Sequence, residues 1–274
     1  MRSSIGAELL VLRKRAATWI LLGIWTLLAV FFAYVIPYAL DPGEDPGGLG
    51  DLLPSAVPGT LAVGFPFFGG VFALMLGVFA VGSDFGWDTL KSRFTQGPGR
   101  LHVFAAKLAA LGIVLVPYVL AVFLAGGVAS LVIAGIEGVP ADLPPAWLLL
   151  RAMAAGWLVL AVWAALGVLL GTLTRGTSLA IGVGILYALV VEGLVGALAA
   201  SVGLLEPVGE VLLRADGYSL ATALGASVAD VGANGPGSYS GPLAGTAQAV
   251  GLLVASLAAF AGLAGLLLRR RDVV

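Results

Sequence analysis

The chain has 274 residues, of which 60% are hydrophobic and 11% are charged, and its mean hydropathy is +1.07. Fourteen Lys and Arg residues and 15 Asp and Glu residues are too few to cover the surface of a soluble domain of this length, which excludes a soluble globular protein. The sequence contains no cysteine, which excludes disulfides and thiol chemistry.

Long apolar runs define the fold class. A run of about 18 or more apolar residues predicts a transmembrane helix, because roughly 20 helical residues cross a hydrocarbon core of ~30 Å. Lipid offers the backbone no hydrogen-bond partner, so spans are helices or closed barrels. The runs in this chain are continuously apolar, whereas barrel strands alternate between polar and apolar residues. We therefore predict an all-α membrane protein.

Six transmembrane helices are predicted in a single domain that covers residues 1–274. The third is longer than a membrane requires, so it must tilt, bend at Pro117 or extend beyond the lipid. In the fourth, Gly167 and Gly171 form a GxxxG pattern, which favours close packing between helices of this chain over a dimer contact. The predicted spans are Thr18–Leu40, Val57–Val81, Val103–Ile136, Trp147–Leu173, Thr177–Val202 and Leu243–Leu268.

The distribution of basic residues predicts the orientation. Lys and Arg concentrate on the cytoplasmic side of membrane proteins. With a cytoplasmic N-terminus, the outer segments hold only Arg151 and Arg214. The inner segments then hold Arg2, Arg13, Lys14, Arg15, Lys91, Arg93, Arg100, Lys107, Arg175, Arg269, Arg270 and Arg271. We therefore predict a multi-pass protein of the plasma membrane with both termini in the cytoplasm.

Short segments outside the spans are predicted to be helical as well. Ser4–Arg15 has apolar residues at helical spacing and a basic end, which predicts a helix along the inner surface; a simple charged anchor is the alternative. Leu204–Arg214 and Tyr218–Val228 are too short or too polar to cross a membrane. We predict that they form short helices at the outer face that can dip into the membrane.

The loop between the second and third spans, Gly82–Leu108, has the most informative pattern. Asp84 suits a helix N-terminus, and Lys91 and Arg93 suit the C-terminal end of the same helix. Gly97-Pro98-Gly99 then ends it. This pattern predicts a short amphipathic helix on the cytoplasmic surface, attached to two spans, that can transmit a push from a soluble partner. The alternative is an ordinary basic turn.

This loop resembles the corresponding loop in the permease subunit of ABC-2-type transporters. In that family an acidic residue is followed by Gly-Thr-Leu or a similar sequence, then by Pro-x-Arg or Pro-x-x-Arg, and then by a lysine about seven residues later. Asp84 stands where Glu is usual, and Asp88 stands where Gly is usual. The layout of an interfacial helix, six spans and short re-entrant helices before the last span is also similar. The matching positions are Asp84, Thr89-Leu90, Pro98-Gly99-Arg100 and Lys107.

The resemblance implies a permease that pairs with a second permease subunit, identical or related, and sits on a separate cytoplasmic ABC ATPase. Phe85–Phe94 would be the coupling helix, and export is the usual direction in this family. It also implies that this chain holds no cofactor, because the ATPase binds ATP and Mg²⁺, and that its other partner is membrane lipid, not nucleic acid. The residues implied to contact the ATPase are Asp84, Phe85, Trp87, Asp88, Thr89, Leu90, Arg93, Phe94 and Arg100.

Sequence motifs for catalysis are absent. A P-loop needs GxxxxGK[ST], because its lysine reaches the phosphates, and the nearest match, Gly171–Ser178, lacks that lysine. His102 is the one histidine, and no zinc-binding pattern occurs. We therefore expect no metal site and no enzyme activity on this chain, so the energy for transport must come from a partner or from an ion gradient.

Four residues within the spans are candidates for a substrate pathway: Glu192, Tyr187, Phe65 and Phe68. A carboxyl group inside a membrane is costly and often functional, so Glu192, with Tyr187 nearby, is a candidate contact for a cationic substrate or a proton. The alternative is a packing role in which Glu192 faces Arg151 or a neighbouring backbone group. The phenylalanines could line a route for apolar cargo, although such side chains more often pack or face lipid.

Three other functions remain open alongside an ABC permease. An ion-coupled secondary transporter would need paired charges or broken helices near the middle of the membrane. A membrane-embedded enzyme would need a cluster of polar catalytic groups. A scaffold without transport activity would need neither. Co-purification with an ATPase would distinguish the permease from all three.

Overall fold

The computed structural model describes residues 2–40, 46–86, 99–227, 239 and 241–270, and within these ranges the chain is helical and contains no strand. Six of its helices are long and apolar enough to cross a membrane, which confirms the predicted all-α class with six spans. The spans are Ala16–Leu40, Phe65–Gly82, Leu101–Glu137, Ala146–Thr174, Ser178–Ser201 and Thr246–Arg270.

The described helices are numbered here in chain order. Because the number of spans is even, the first helix and the end of the last lie at one face of the bundle, which we name the terminal face; the opposite face is the distal face. The helices are α1 (Arg2–Lys14), α2 (Ala16–Leu40), α3 (Pro46–Leu52), α4 (Val57–Ala62), α5 (Gly70–Gly86), α6 (Arg100–Glu137), α7 (Ala146–Thr174), α8 (Ser178–Ser201), α9 (Glu206–Gly209), α10 (Leu213–Ala223) and α11 (Thr246–Arg270).

The helix α1 folds back from the first span at Arg15, whose backbone is extended (φ −77°, ψ 124°). Two side chains of α2 hold this corner. The Thr18 hydroxyl donates to the Leu12 carbonyl over 2.8 Å, and the Trp19 indole donates to the Arg13 carbonyl over 2.7 Å. These bonds bring side-chain donors of α2 to carbonyls in the last turn of α1, and α1 packs against α6.

The second predicted span, Val57–Val81, is divided in the structure. Val57–Ala62 forms α4, and a π-helical turn at Phe65–Gly69 leads into α5. Pro66 lies in this turn and lacks the N–H group that a regular helix would use there. The helical path therefore changes pitch in the distal half of the span.

Spans two and four pack closely because glycines face each other's backbone. A Cβ atom added at Gly167 would overlap the Leu74 carbonyl oxygen, and one added at Gly77 would overlap the Ala164 carbonyl oxygen. A Cβ atom at Gly171 would instead meet the Val78 carbonyl oxygen at 3.5 Å, an ordinary contact. The GxxxG pattern thus packs inside this chain.

The third span lies in α6, which has 38 residues and a length of about 57 Å at 1.5 Å per residue. It continues through Pro117 as one helix. The Tyr118 hydroxyl donates to the Thr18 carbonyl over 2.6 Å, so Tyr118 lies level with the start of the first span. The residues of α6 before Tyr118 therefore extend towards the terminal face, where α1 packs against them.

The helix α10 enters the distal half of the bundle without crossing it. Its end lies beside the beginning of span two, since a Cβ atom at Gly59 would meet the Ala226 nitrogen at 2.6 Å. Its middle lies deeper, since a Cβ atom at Gly217 would meet the Pro66 Cγ at 2.7 Å. It thus runs antiparallel to span two and fills the distal space between spans two, four and six.

Candidate functional site

Two polar sites occur in the described part of the bundle, one at each face. At the terminal face are the two ends of the loop that was predicted to contact an ATPase. Asp84 and Phe85 belong to the last turn of α5, and Arg100 is the first residue of α6. The other predicted contacts lie outside the described residues: Trp87, Asp88, Thr89, Leu90, Arg93 and Phe94.

Lys107 joins α5 and α6, the two helices between which this loop runs. Its ammonium group donates to the Ala80 carbonyl over 2.7 Å, which links the third span to the second through residues 27 positions apart in the chain. The same group forms an ion pair with Glu8 of α1 at 3.1 Å, and each side chain is only 8% exposed. A buried charge is retained where it is paired and hydrogen-bonded, and Lys107 meets both conditions.

A second cation ties α1 to the same turn of span two. The Arg15 guanidinium donates to the Phe79 carbonyl, one residue before the carbonyl that Lys107 uses. Cations are favoured near the C-terminal end of a helix because the helix dipole is negative there. The helices α1, α5 and α6 are therefore connected to one another where the loop begins and ends. We name these three helices the terminal clamp, and its charged groups are Glu8, Arg15 and Lys107.

The distal site is organised by Glu192, which is fully buried. Its two carboxylate oxygens accept hydrogen bonds from the backbone N–H groups of Leu213 (3.1 Å) and Arg214 (2.8 Å). These are the first two residues of α10, so Glu192 caps a helix from another segment of the chain. The cap explains why α10 begins at Leu213, whereas the sequence predicted a helix beginning at Tyr218.

A π-helical turn at Tyr187–Val191 precedes Glu192. In a regular α-helix, residues five apart point to different faces, whereas a π turn is wider and brings them closer to one face. The Tyr187 hydroxyl accordingly approaches the Glu192 carboxylate. This local distortion is the structural cause of the approach between Tyr187 and Glu192.

The Arg214 side chain lies in a cage of aromatic rings. Its guanidinium carbon is 4.8 Å from the centre of the Phe67 ring and 5.9 Å from the centres of the Tyr218 and Tyr239 rings. The Tyr239 hydroxyl donates to the Gly209 carbonyl over 3.0 Å, which ties the cage to α9. A guanidinium group over aromatic faces is attracted by their π electrons, so the cage holds a buried charge beside Glu192.

Asp216 lies in the first turn of α10 and is fully buried. Within the described part of the chain, neither of its carboxylate oxygens has a hydrogen-bond partner. Burial, and then the neighbouring Glu192, raises the pKa of Asp216 to about 8. No sequence pattern indicates this proximity, because Asp216 is 24 positions from Glu192 and lies in a segment of mixed polarity.

The two phenylalanines proposed for the substrate pathway lie in different surroundings. Phe65 is 1% exposed, and its ring packs edge-on against Trp25 at 5.5 Å and stacks on Phe123 at 6.0 Å. Phe68 is half-buried and stacks on Phe32 of the first span at 5.3 Å. Their neighbour Phe67 is the one whose ring faces Arg214.

Comparison with known proteins gives one result. A family model described as "ABC-2 family transporter protein" matches residues 4–191, from α1 to the residue before Glu192. No curated protein matches the chain.

Proposed function

This chain belongs to the ABC-2 family of transporter proteins, and we propose that it is an exporting permease that works as a dimer with a separate ATPase. Membership makes it the membrane subunit of an ABC transporter, and such subunits are generally not catalytic themselves. In the proposal, ATP and Mg²⁺ bind to the partner, and this chain supplies the route through the membrane.

The proposal places the terminal face in the cytoplasm. Its support is the basic character of that face: α1 ends in Arg13 and Lys14, and α11 ends in Arg269 and Arg270. Lys and Arg concentrate on the cytoplasmic side of membrane proteins. An ATPase that meets ATP in the cytoplasm would then lie beside the loop between spans two and three.

The terminal clamp is the observation that most supports a mechanical role for this loop. Residues 87–98 connect α5 to α6 along the chain, so a force on them acts on both helices. Lys107 couples these two helices to each other and to α1. A buried, charge-assisted contact resists separation more than an exposed one does. Movement of the loop would therefore turn spans two and three together with α1 as one unit.

The distal site supports a gate at the other end of the pathway. The helix α10 fills the distal space between three spans, and its deepest end is capped by Glu192. In the proposal, a turn of span two at the terminal face shifts Pro66 and Phe67 against α10, which opens a route past Glu192 and Tyr187. Phe65 and Phe68, which flank Phe67, are the apolar candidates for this route.

Single cysteines can test the proposed ATPase contact, because the chain has none of its own. In the variant Trp87→Cys, a short cross-linker is attached to the new thiol in the predicted coupling helix. Trp147→Cys, a 62% exposed tryptophan near the start of α7 at the opposite face, is the matched control. We expect Trp87→Cys alone to cross-link to a protein that contains a P-loop, identified by mass spectrometry of the covalent product.

A functional variant completes the test. Replacing Trp87 by Ala should uncouple ATP hydrolysis from transport in vesicles that contain both subunits, while the chain remains folded, because a large aromatic side chain is a common interface anchor. Trp147→Ala should leave coupling unchanged. Equal coupling in Trp87→Ala and the unmodified protein would refute the assignment of this loop.

An ion-coupled secondary transporter is the second candidate, and it is favoured by the two buried acids Glu192 and Asp216 in the distal half of the bundle. Intramembrane carboxyl groups are typical of ion and proton pathways. Transport by this chain alone, in vesicles with an ion gradient and without ATP, would support this second function over the first.

A further inference from the structure

Asp216 is a buried acid for which the export mechanism has no role. Its side chain is fully buried, and both carboxylate oxygens lack a hydrogen-bond partner among the residues described. A buried ionised carboxylate without a partner is costly, and such a group normally takes up a proton instead. The structure therefore holds a polar group whose natural state at this position is the neutral acid.

The charges around Asp216 do not neutralise it when it is ionised. Glu192 and Asp216 contribute two negative charges, whereas Arg214 contributes one positive charge. The N–H groups at the start of α10 add a partial positive charge, but they are already engaged by Glu192. The nearest charge of consequence for Asp216 is Glu192, which repels it. When Asp216 is protonated, the net charge of Glu192, Arg214 and Asp216 is zero.

Few other ionisable groups face this position in the described part of the chain. α4 and the turn at Phe65–Gly69 have none, and the charges of α11 lie at the terminal face. α7 contributes Arg151, which is exposed at the distal face. The full set on and around α10 is Glu192 and Tyr187 of α8, Arg214 and Tyr218 of α10 itself, Tyr239, Arg151 and Glu210.

A pocket of about 230 Å³ lies between α7, α10 and α11, and it reaches the distal face at Arg151 and Thr246. Leu220 and Ala223 of α10 line it. Residues four and seven positions apart share one face of a helix, so Asp216 lies on the same stripe of α10, about one turn deeper than Leu220. Asp216 does not itself line the pocket, which ends at Leu220, about one turn from the buried acid.

We propose that Asp216 is a proton-binding site, and that release of its proton to the distal face loosens the packing of α10 against spans two, four and six. The O–H bond of the carboxylic acid breaks, the proton passes to water that enters from the distal face, and a carboxylate remains on Asp216. That carboxylate is repelled by Glu192, so α10 moves towards water and its cap on Glu192 weakens. The pKa of about 8 places the change in mildly alkaline conditions.

Labelling of the purified protein in lipid nanodiscs tests this proposal, and it needs neither an ATPase nor a substrate. Its outcome is therefore independent of the proposed export function. Ala223→Cys places a thiol in the pocket, and Ala141→Cys places one in the exposed distal loop between α6 and α7. Maleimide reacts with both. Because alkaline pH speeds both reactions by forming thiolate, the ratio of the two rates reports on access to the pocket.

We expect this ratio to rise several-fold between about pH 6 and about pH 9.5, on either side of the pKa of Asp216. Adding Asp216→Asn, which has the shape of the neutral acid and cannot ionise, should keep the ratio low at both pH values. Asp142→Asn, at an exposed distal position, should leave the rise intact. A ratio that does not change with pH in the otherwise unmodified protein overturns the proposal, even if Asp216→Asn fails to fold. A rise that persists in a folded Asp216→Asn variant also overturns it.

Discussion

Glu8 and Lys107 form an ion pair at 3.1 Å in which each side chain is 8% exposed, and this pair joins α1 to the third span at the terminal face. Lys107 matches the lysine of the family pattern, which the sequence located by its distance from Arg100. The sequence did not supply its partner, because Glu8 is 99 positions away in a helix that the pattern does not include. The pair makes α1 part of the terminal clamp, which holds the ends of the loop between spans two and three.

Loss of this pair should destabilise the protein. Lys107→Met removes the charge and the hydrogen bond to Ala80, and breaking a buried pair from one side costs about 3–5 kcal/mol. We expect a clearly lower apparent melting temperature, measured by fluorescence-detected size-exclusion chromatography after heating. Lys14→Met replaces an exposed lysine at the end of α1, the helix that contains Glu8, and it should change stability by only about 0.5 kcal/mol.

The single variants Glu8→Gln and Lys107→Met, together with the double variant, form a double-mutant cycle. Removing both charges leaves no buried charge without its partner, so the loss should be smaller than the sum of the two single losses. Additive losses would show that the two side chains do not act as a pair.

The close packing of spans two and four gives a prediction with an internal control. Gly167→Ala would place a Cβ atom into the Leu74 carbonyl oxygen, so the two helices must separate, at a cost of about 1–3 kcal/mol. Gly171→Ala, one turn later, meets its neighbour at 3.5 Å and should be tolerated. The melting temperatures of the two variants check this, and equal values would argue against the described packing.

Much of the fold could be predicted from the sequence, because a membrane imposes one local rule. Every span must be about 20 apolar residues long and helical, and this rule uses only neighbouring residues. The six spans are confirmed on that basis. The division of the second span at Pro66 was not predicted, since proline within a span allows either a bend or a continued helix. Pro117 illustrates the other outcome, because α6 passes through it as one helix.

The distal site could be predicted only in part. Glu192 was identified because a lone carboxyl group in an apolar run is conspicuous. Each of its carboxylate oxygens accepts a hydrogen bond from a backbone N–H group of α10, and a contact with a backbone group was one of the alternatives. The sequence could not indicate that Arg214 and Asp216 are buried beside it. Arg214 ends one of the short helices predicted at the outer face, and Asp216 lies between the two. Their burial depends on how α10 enters the bundle.

The cap formed by Glu192 predicts the effect of a neutral replacement. Gln in place of Glu192 can accept a hydrogen bond from one of the two N–H groups through its oxygen. Its amide nitrogen, which is itself a donor, then faces the other N–H group. An unsatisfied buried donor costs about 1–3 kcal/mol, so Glu192→Gln should remain folded with reduced stability and should transport less. Glu206→Gln, at an exposed site near the distal face, is the control. Full transport by Glu192→Gln would remove this residue from the pathway.

Asp216 predicts how stability depends on pH. Its pKa is about 8 in the folded protein, against an ordinary value of 3.8, so between these values the folded chain binds more protons than the unfolded chain. Stability therefore falls as the pH rises through this window. The contribution of Asp216 to the free energy of unfolding is complete below about pH 4 and is lost by about pH 8. It involves at most one proton.

Comparison of the unmodified protein with Asp216→Asn isolates this contribution, because asparagine cannot ionise and other titrating groups cancel in the difference. We expect the melting temperature of the unmodified protein, relative to that of the variant, to decrease steadily from about pH 5 to about pH 8 and then to become constant. A constant difference across this range would show that Asp216 is already ionised at low pH, with a partner that compensates its charge. An increasing difference would also contradict the prediction, because a raised pKa can only make the folded chain bind more protons than the unfolded chain.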